Sequence, residues 1–134
     1  MKKLFLTAAA AVVCAACAKA PWPVASAAEN GLRQDLKAVG EVVNFRELKT
    51  EELAARDGKA VVLHFESEVK WLTLEESLAR PGGPGDTQEY IGKAQYVRQK
   101  LGSAPKAGRS ETIKGAVLLA KTDLGWIYNG LAGN

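Results

Sequence analysis

From Ala60 to Leu72 apolar residues recur with a period of two: Val61, Leu63, Phe65, Val69 and Trp71 share one parity, broken only by Ser67. The other parity carries His64, Glu66, Glu68 and Lys70. Successive side chains of a strand point to opposite faces, so this pattern predicts a long strand with one buried and one wet face. A shorter alternation from Glu41 to Leu48, with Val43 and Phe45 against Asn44 and Arg46, predicts a second strand. Thr112 to Lys121 is branched on both parities (Ile113, Val117, Leu118, Leu119), as expected of a central strand. Asp123-Leu124-Gly125 then turns the chain into a return strand, Trp126-Ile127-Tyr128, whose two aromatic rings share a face and reach Val117 and Leu119 across the hairpin.

Elsewhere the period lengthens. Leu32, Leu36 and Val39 stand at i, i+4 and i+7 behind Asn30 as N-cap, and predict a short amphipathic helix ending at Gly40. Thr50 before Glu51-Glu52-Leu53-Ala54-Ala55 reads as a capped helical turn closed by Asp57-Gly58. Pro81-Gly82-Gly83-Pro84-Gly85-Asp86 sustains neither regular structure and is a loop. Beyond it, Asp86 with Glu89 forms a capping box, and Tyr90, Ala94, Val97 and Leu101 share one face of a helix over 87–101. Residues 103–110 are a polar loop. These elements predict an α+β domain: a curved antiparallel sheet of about four strands with one or two helices packed on one face.

The N-terminus has a different logic. Lys2 and Lys3 precede an apolar run from Leu4 to Ala18, and small residues follow at Ala25-Ser26-Ala27. This is the order of a secretory signal peptide, and a run of about 15 residues is too short to span a bilayer. The expected organisation is a signal peptide at 1–27, cleaved near Ala27 or Ala28, and a single domain at 28–134. The protein is then periplasmic or secreted. The alternative is a lipoprotein acylated at Cys17, anchored to a membrane only in that case; Cys14 stands where a branched apolar residue is usual.

Removing this segment changes the composition. Cys14 and Cys17 are the two cysteines of the chain, so a domain starting near Ala28 has no thiol or disulfide chemistry. The 18 basic and 15 acidic residues become 15 of each once Lys2, Lys3 and Lys19 are gone, which gives no reason to expect a nucleic-acid partner.

Three stretches carry a resemblance: Phe65 through Leu72; Lys106-Ala107-Gly108; and Ile113-Lys114-Gly115-Ala116-Val117 running into Lys121-Thr122-Asp123-Leu124-Gly125-Trp126. Together they resemble small secreted bacterial domains of uncharacterised function, whose sheet and helix are similar to cystatin-like or NTF2-like folds. The resemblance covers roughly residues 41–128 and implies a fold; the class shares no catalytic residues that would imply an activity.

Candidate sites are few. His64, Glu66 and Glu68 lie on one strand face about 6.6 Å apart, within reach of one ion or substrate, but the same alternation describes any solvated strand face. His64 is the single histidine, so no multi-histidine metal site can be built and a nucleophilic serine would have His64 alone as its base; Ser67, Ser77, Ser103 and Ser110 sit in no recognisable elbow. Gly82-Gly83-Pro84-Gly85 lacks the Lys-Ser/Thr of a phosphate loop. No cofactor or metal is expected. Lys106, Arg109 and Lys114, within a basic stretch that also includes Lys93, Arg98, Lys100 and Lys121, are candidates for contact with an anionic partner. Trp71, Trp126 and Tyr128 are candidates for an aromatic pocket, with core packing as the simpler use. The expectation is a non-catalytic binding or interaction module, self-associating or with an envelope protein as partner. A small-ligand carrier is the alternative, and an enzyme or metal site at His64, Glu66 and Glu68 comes third.

Overall fold

The computed structural model describes residues 24–53, 59–81 and 85–133. Cys14, Cys17 and the apolar run of the expected signal peptide lie outside the described residues. Within them the chain runs α1 (Val24–Leu36), β1 (Gly40–Leu53), β2 (Ala60–Trp71), α2 (Leu74–Ala79), α3 (Thr87–Leu101), β3 (Ser110–Thr122) and β4 (Gly125–Leu131). The strands form one antiparallel sheet in the order β1-β2-β3-β4. The helices pack on one side of it, so the expected α+β class is the one observed.

The period of β2 sets the core. Val61, Leu63, Phe65, Val69 and Trp71 are all buried, and they meet Leu32 and Leu36 of α1, Val97 of α3 and Val117 and Leu119 of β3. Phe45 stacks on Phe65 with ring centroids 5.3 Å apart. Ser67, the polar interruption, is also buried, and its cause lies on β1: a bulge between Val42 and Asn44 breaks the ladder there, and the Ser67 hydroxyl donates to the freed Asn44 carbonyl.

Several boundaries differ from expectation. The first helix begins at Val24 and ends at Leu36, so Asn30 lies in its middle and caps nothing. Its start falls inside the segment expected to be removed: Ala27 and Ala28 are buried, and Val24 and Ala25 pack against the core. The helical turn expected from Thr50 is strand instead through Leu53; residues 54–58 of that reading lie outside the described residues. Thr50 to Leu53 pair with Leu63 to Ala60, and ladder bonds to a strong neighbouring strand outweigh local propensity. Helix α2 was not anticipated, although Thr73 and Glu76 form a reciprocal capping box that the sequence carries in plain form. At α3 the expected helix stands, with Asp86 accepting from the Glu89 amide, but the Glu89 side chain accepts from Gly85 rather than closing the box.

Two glycines decide how the layers meet. A Cβ at Gly31 of α1 would lie 2.1 Å from the Tyr128 ring, so the ring seats directly on the helix backbone only because Gly31 has no side chain. Gly125 takes φ 117° where the hairpin returns, a conformation costly for any other residue. The hairpin then pairs Tyr128 with Leu119 as expected, but Val117 faces Leu131 because the register shifts between Val117 and Leu119.

Candidate functional site

On the outer face of the sheet, away from the helices, His64, Glu66 and Glu68 stand in line as predicted, but each engages a different neighbour. Glu66 sits in a register row between Arg46 of β1 and Lys114 of β3, with oxygen–nitrogen distances of 2.6 and 3.7 Å. Glu68 receives the Asn44 amide at 3.4 Å, while its own N–H donates to Asn44 Oδ1 at 3.0 Å. His64 Nε2 lies 3.6 Å from Glu51, whose carboxyl Lys49 holds below its ordinary value by hydrogen bond and charge. These pairs also correct the expected exposure: His64, Glu66 and Glu68 are half-buried, and Lys70 alone of the four is exposed. Among the described residues no three His, Cys, Asp or Glu side chains are grouped to hold a metal. Two open concavities flank the row, of about 380 Å³ over Asn44, Glu68 and Thr112 and about 600 Å³ over Leu48, Val62, His64 and Ala116.

The basic candidates do not share a surface. Lys106 and Arg109 occupy one turn, joined by the Arg109 N–H to the Lys106 carbonyl, and Lys106 reaches Glu111 at 3.7 Å. Lys114 lies on the outer face beside Glu66, on the opposite parity of β3 from Glu111. Lys93 is drawn to the helical side by Asp35. The charge asymmetry seen in the linear chain is thereby split over different faces of the fold.

The aromatic candidates divide as well. Trp71 is 2% exposed at one end of β2. Trp126 and Tyr128 pair with Lys121 and Leu119 at the other end, where Leu119 faces Val61; ten residues of strand separate Val61 from Trp71, about 33 Å. One pocket cannot hold all three. Trp126 and Tyr128 do line a cleft of about 300 Å³ with Ala27, Asn30, Gly31 and Gln34 of α1.

Behind that cleft lies a polar cluster that the sequence reading missed. Asp35 of α1 accepts from Lys93 Nζ at 2.8 Å through one oxygen and from the hydroxyls of Tyr96 and Tyr128, at 2.8 and 2.7 Å, through the other. The Tyr96 hydroxyl accepts in turn from the Leu131 N–H at 3.0 Å, and Lys93 sits 4.7 Å over the Tyr96 ring. Burial, and beyond it the Asp35 carboxylate, push both phenols up, Tyr96 to about 12. Both tyrosines therefore stay protonated at neutral pH, donate their hydroxyl hydrogen bonds to Asp35 and give up those protons poorly. With every oxygen of the carboxylate engaged, the cluster is suited to tying α1, α3 and β4 together and is poorly suited to proton transfer. Lys93 and Tyr96 share a helical face at i and i+3, which is the one signal the sequence held; nothing local pairs them with Asp35.

No protein-family model, curated protein or solved structure matches the chain.

Proposed function

We infer that the protein is an exported, non-catalytic interaction module whose binding surface is the outer face of the sheet. The observation that carries this reading is an apolar row crossing all four strands: Leu53 pairs with Ala60, Ala60 with Ala120, and Ala120 with Ile127, with Val62 and Leu118 paired beside them. Leu53 and Ile127 are 41% and 47% exposed, and the helices lie on the other side of the sheet. A contiguous apolar strip on one face of an open sheet is what a docked partner covers. Recovery of cross-linked partners from envelope extract should drop sharply for Leu118→Glu, and equal recovery from the variant and the wild type would refute the assignment.

Export follows from the residues outside the described region, and the fold adds an argument about its route. A cut after Ala27 would leave a charged amine on Ala28, which has no exposed surface, and would remove a packed turn. Acylation at Cys17 would leave α1 whole. This favours the lipoprotein route, in which the domain works tethered to a membrane leaflet.

A second reading, small-ligand carriage, is favoured by the cleft between α1 and the β3–β4 hairpin. Trp126 in its wall would report an occupant by a change in fluorescence.

A further inference from the structure

Resting on the interaction reading above, we propose that the occupant of the outer face is a second copy of this chain, related by a twofold axis that runs along the strands midway between β2 and β3. The argument starts from the register. Val62 is paired with Leu118, His64 with Ala116, Glu66 with Lys114 and Glu68 with Thr112. In a four-stranded sheet the midline lies between its second and third strands. A half-turn about an axis laid on that line brings β2 of one copy over β3 of the other, so each residue lands above the counterpart of its own register mate. Val62 then meets Leu118 of the second copy, and Glu66 meets Lys114. The same operation places β1 over β4 and brings the apolar row onto itself, Leu53 toward Ile127 and Ala60 toward Ala120. An isologous interface requires this kind of self-complementarity, and few rows of residues satisfy it in both the apolar and the charged positions at once.

Charge and area agree with the operation. In the central polar rows, the acids Glu66 and Glu68 are matched in number by the bases Arg46 and Lys114, so a second copy meets no net repulsion. Their polar groups already have cross-strand partners, so covering them leaves no lone buried charge. Three strands of about eleven residues and the seven residues of β4, at about 4.8 Å spacing and about 3.3 Å rise, give a face of roughly 630 Å², at the lower end of the ~600–1,000 Å² per partner of a standard stable interface.

Sedimentation equilibrium on the purified exported protein tests the proposal, with unfolding midpoints measured in parallel. The wild type should be a dimer at micromolar concentration, and Leu118→Glu a monomer with an unchanged fold. Glu66→Lys and Lys114→Glu should each weaken the dimer by about tenfold or more, as close interfacial charge pairs do. The double exchange should restore association to within a few-fold, because it rebuilds both symmetric contacts with the signs reversed. Failure of the double variant to recover would overturn the proposed axis. A wild type that stays monomeric at ~100 μM would overturn the second copy as occupant. In that event, loss of partner cross-linking in Leu118→Glu would leave the interaction reading standing, and its persistence would remove that reading too.

Discussion

Along β2, Leu63, Phe65 and Val69 have no exposed surface, while their immediate neighbours His64, Glu66 and Glu68 keep part of theirs. The inner positions are fixed by three-dimensional packing: Phe65 lies against Phe45 and beneath Gly115, and each neighbour sets the volume allowed to the next. The outer positions are fixed by lateral pairs within the sheet, Glu66 between Arg46 and Lys114, and Glu68 with Asn44. One strand thus holds two kinds of specification. The inner face is finished within the monomer. The outer face has its charges satisfied sideways but its apolar row uncovered, and that asymmetry is the physical basis for assigning it to a partner.

The difference predicts a graded response to substitution. Phe65→Ala should cost about 3–5 kcal/mol in denaturant unfolding, the usual penalty for emptying a packed aromatic site; a cost near zero would mean that the inner face is not the core. Gly31→Ala should cost about 1–3 kcal/mol by overpacking α1 against the Tyr128 ring, and pairing it with Tyr128→Leu should recover part of the loss. Asp35→Ala should cost about 1–3 kcal/mol, because two phenols and an ammonium lose their shared acceptor. Its size relative to Gly31→Ala measures how far polar ties supplement packing at that corner.

Alkaline pH probes the same corner without a substitution. Tyr96 and Tyr128 have native pKa values raised above the ~10 of an unfolded chain. Above that value the unfolded state releases protons that the native state retains, so stability is intact below about pH 10 and falls as pH rises toward 12. Unfolding midpoints measured from pH 9 to 12 should decline, and Tyr96→Phe should flatten the decline. The smallest effect belongs to the outer face: His64→Ala should change monomer stability by no more than ~0.5 kcal/mol. Loss of a cellular phenotype in that variant at unchanged stability would revive a chemical role for the strand-face residues.

How much of this was legible in the sequence followed the range of the interaction. The period of two in β2 survives any context, so its buried set was readable residue by residue. The extension of β1 through Leu53 was not, because Thr50-Glu51-Glu52 carries helix-start residues and only pairing with Leu63 to Ala60 makes it strand. The Asp35 cluster was hidden for a similar reason: Asp35, Lys93 and Tyr128 are far apart in the chain, and each is unremarkable among its own neighbours. His64, Glu66 and Glu68 misled in the opposite direction. They are adjacent on one face and look convergent, but neighbouring strands draw them apart: β1 supplies Glu51 for His64 and Asn44 for Glu68, and Glu66 is held between Arg46 of β1 and Lys114 of β3. The wet face could be read from the alternation; the apolar row across it depends on registers among four strands and could not.

The claim that the outer face is covered in the working protein can be put to a single test in cells. A photo-cross-linking side chain at position 118 should yield a protein adduct in the envelope, while the same probe at Ile91, an exposed residue of α3, should yield none. An adduct from 118 of twice the chain's mass is the result expected here. Absence of any adduct from 118, with the probe incorporated and the protein folded, would contradict the account.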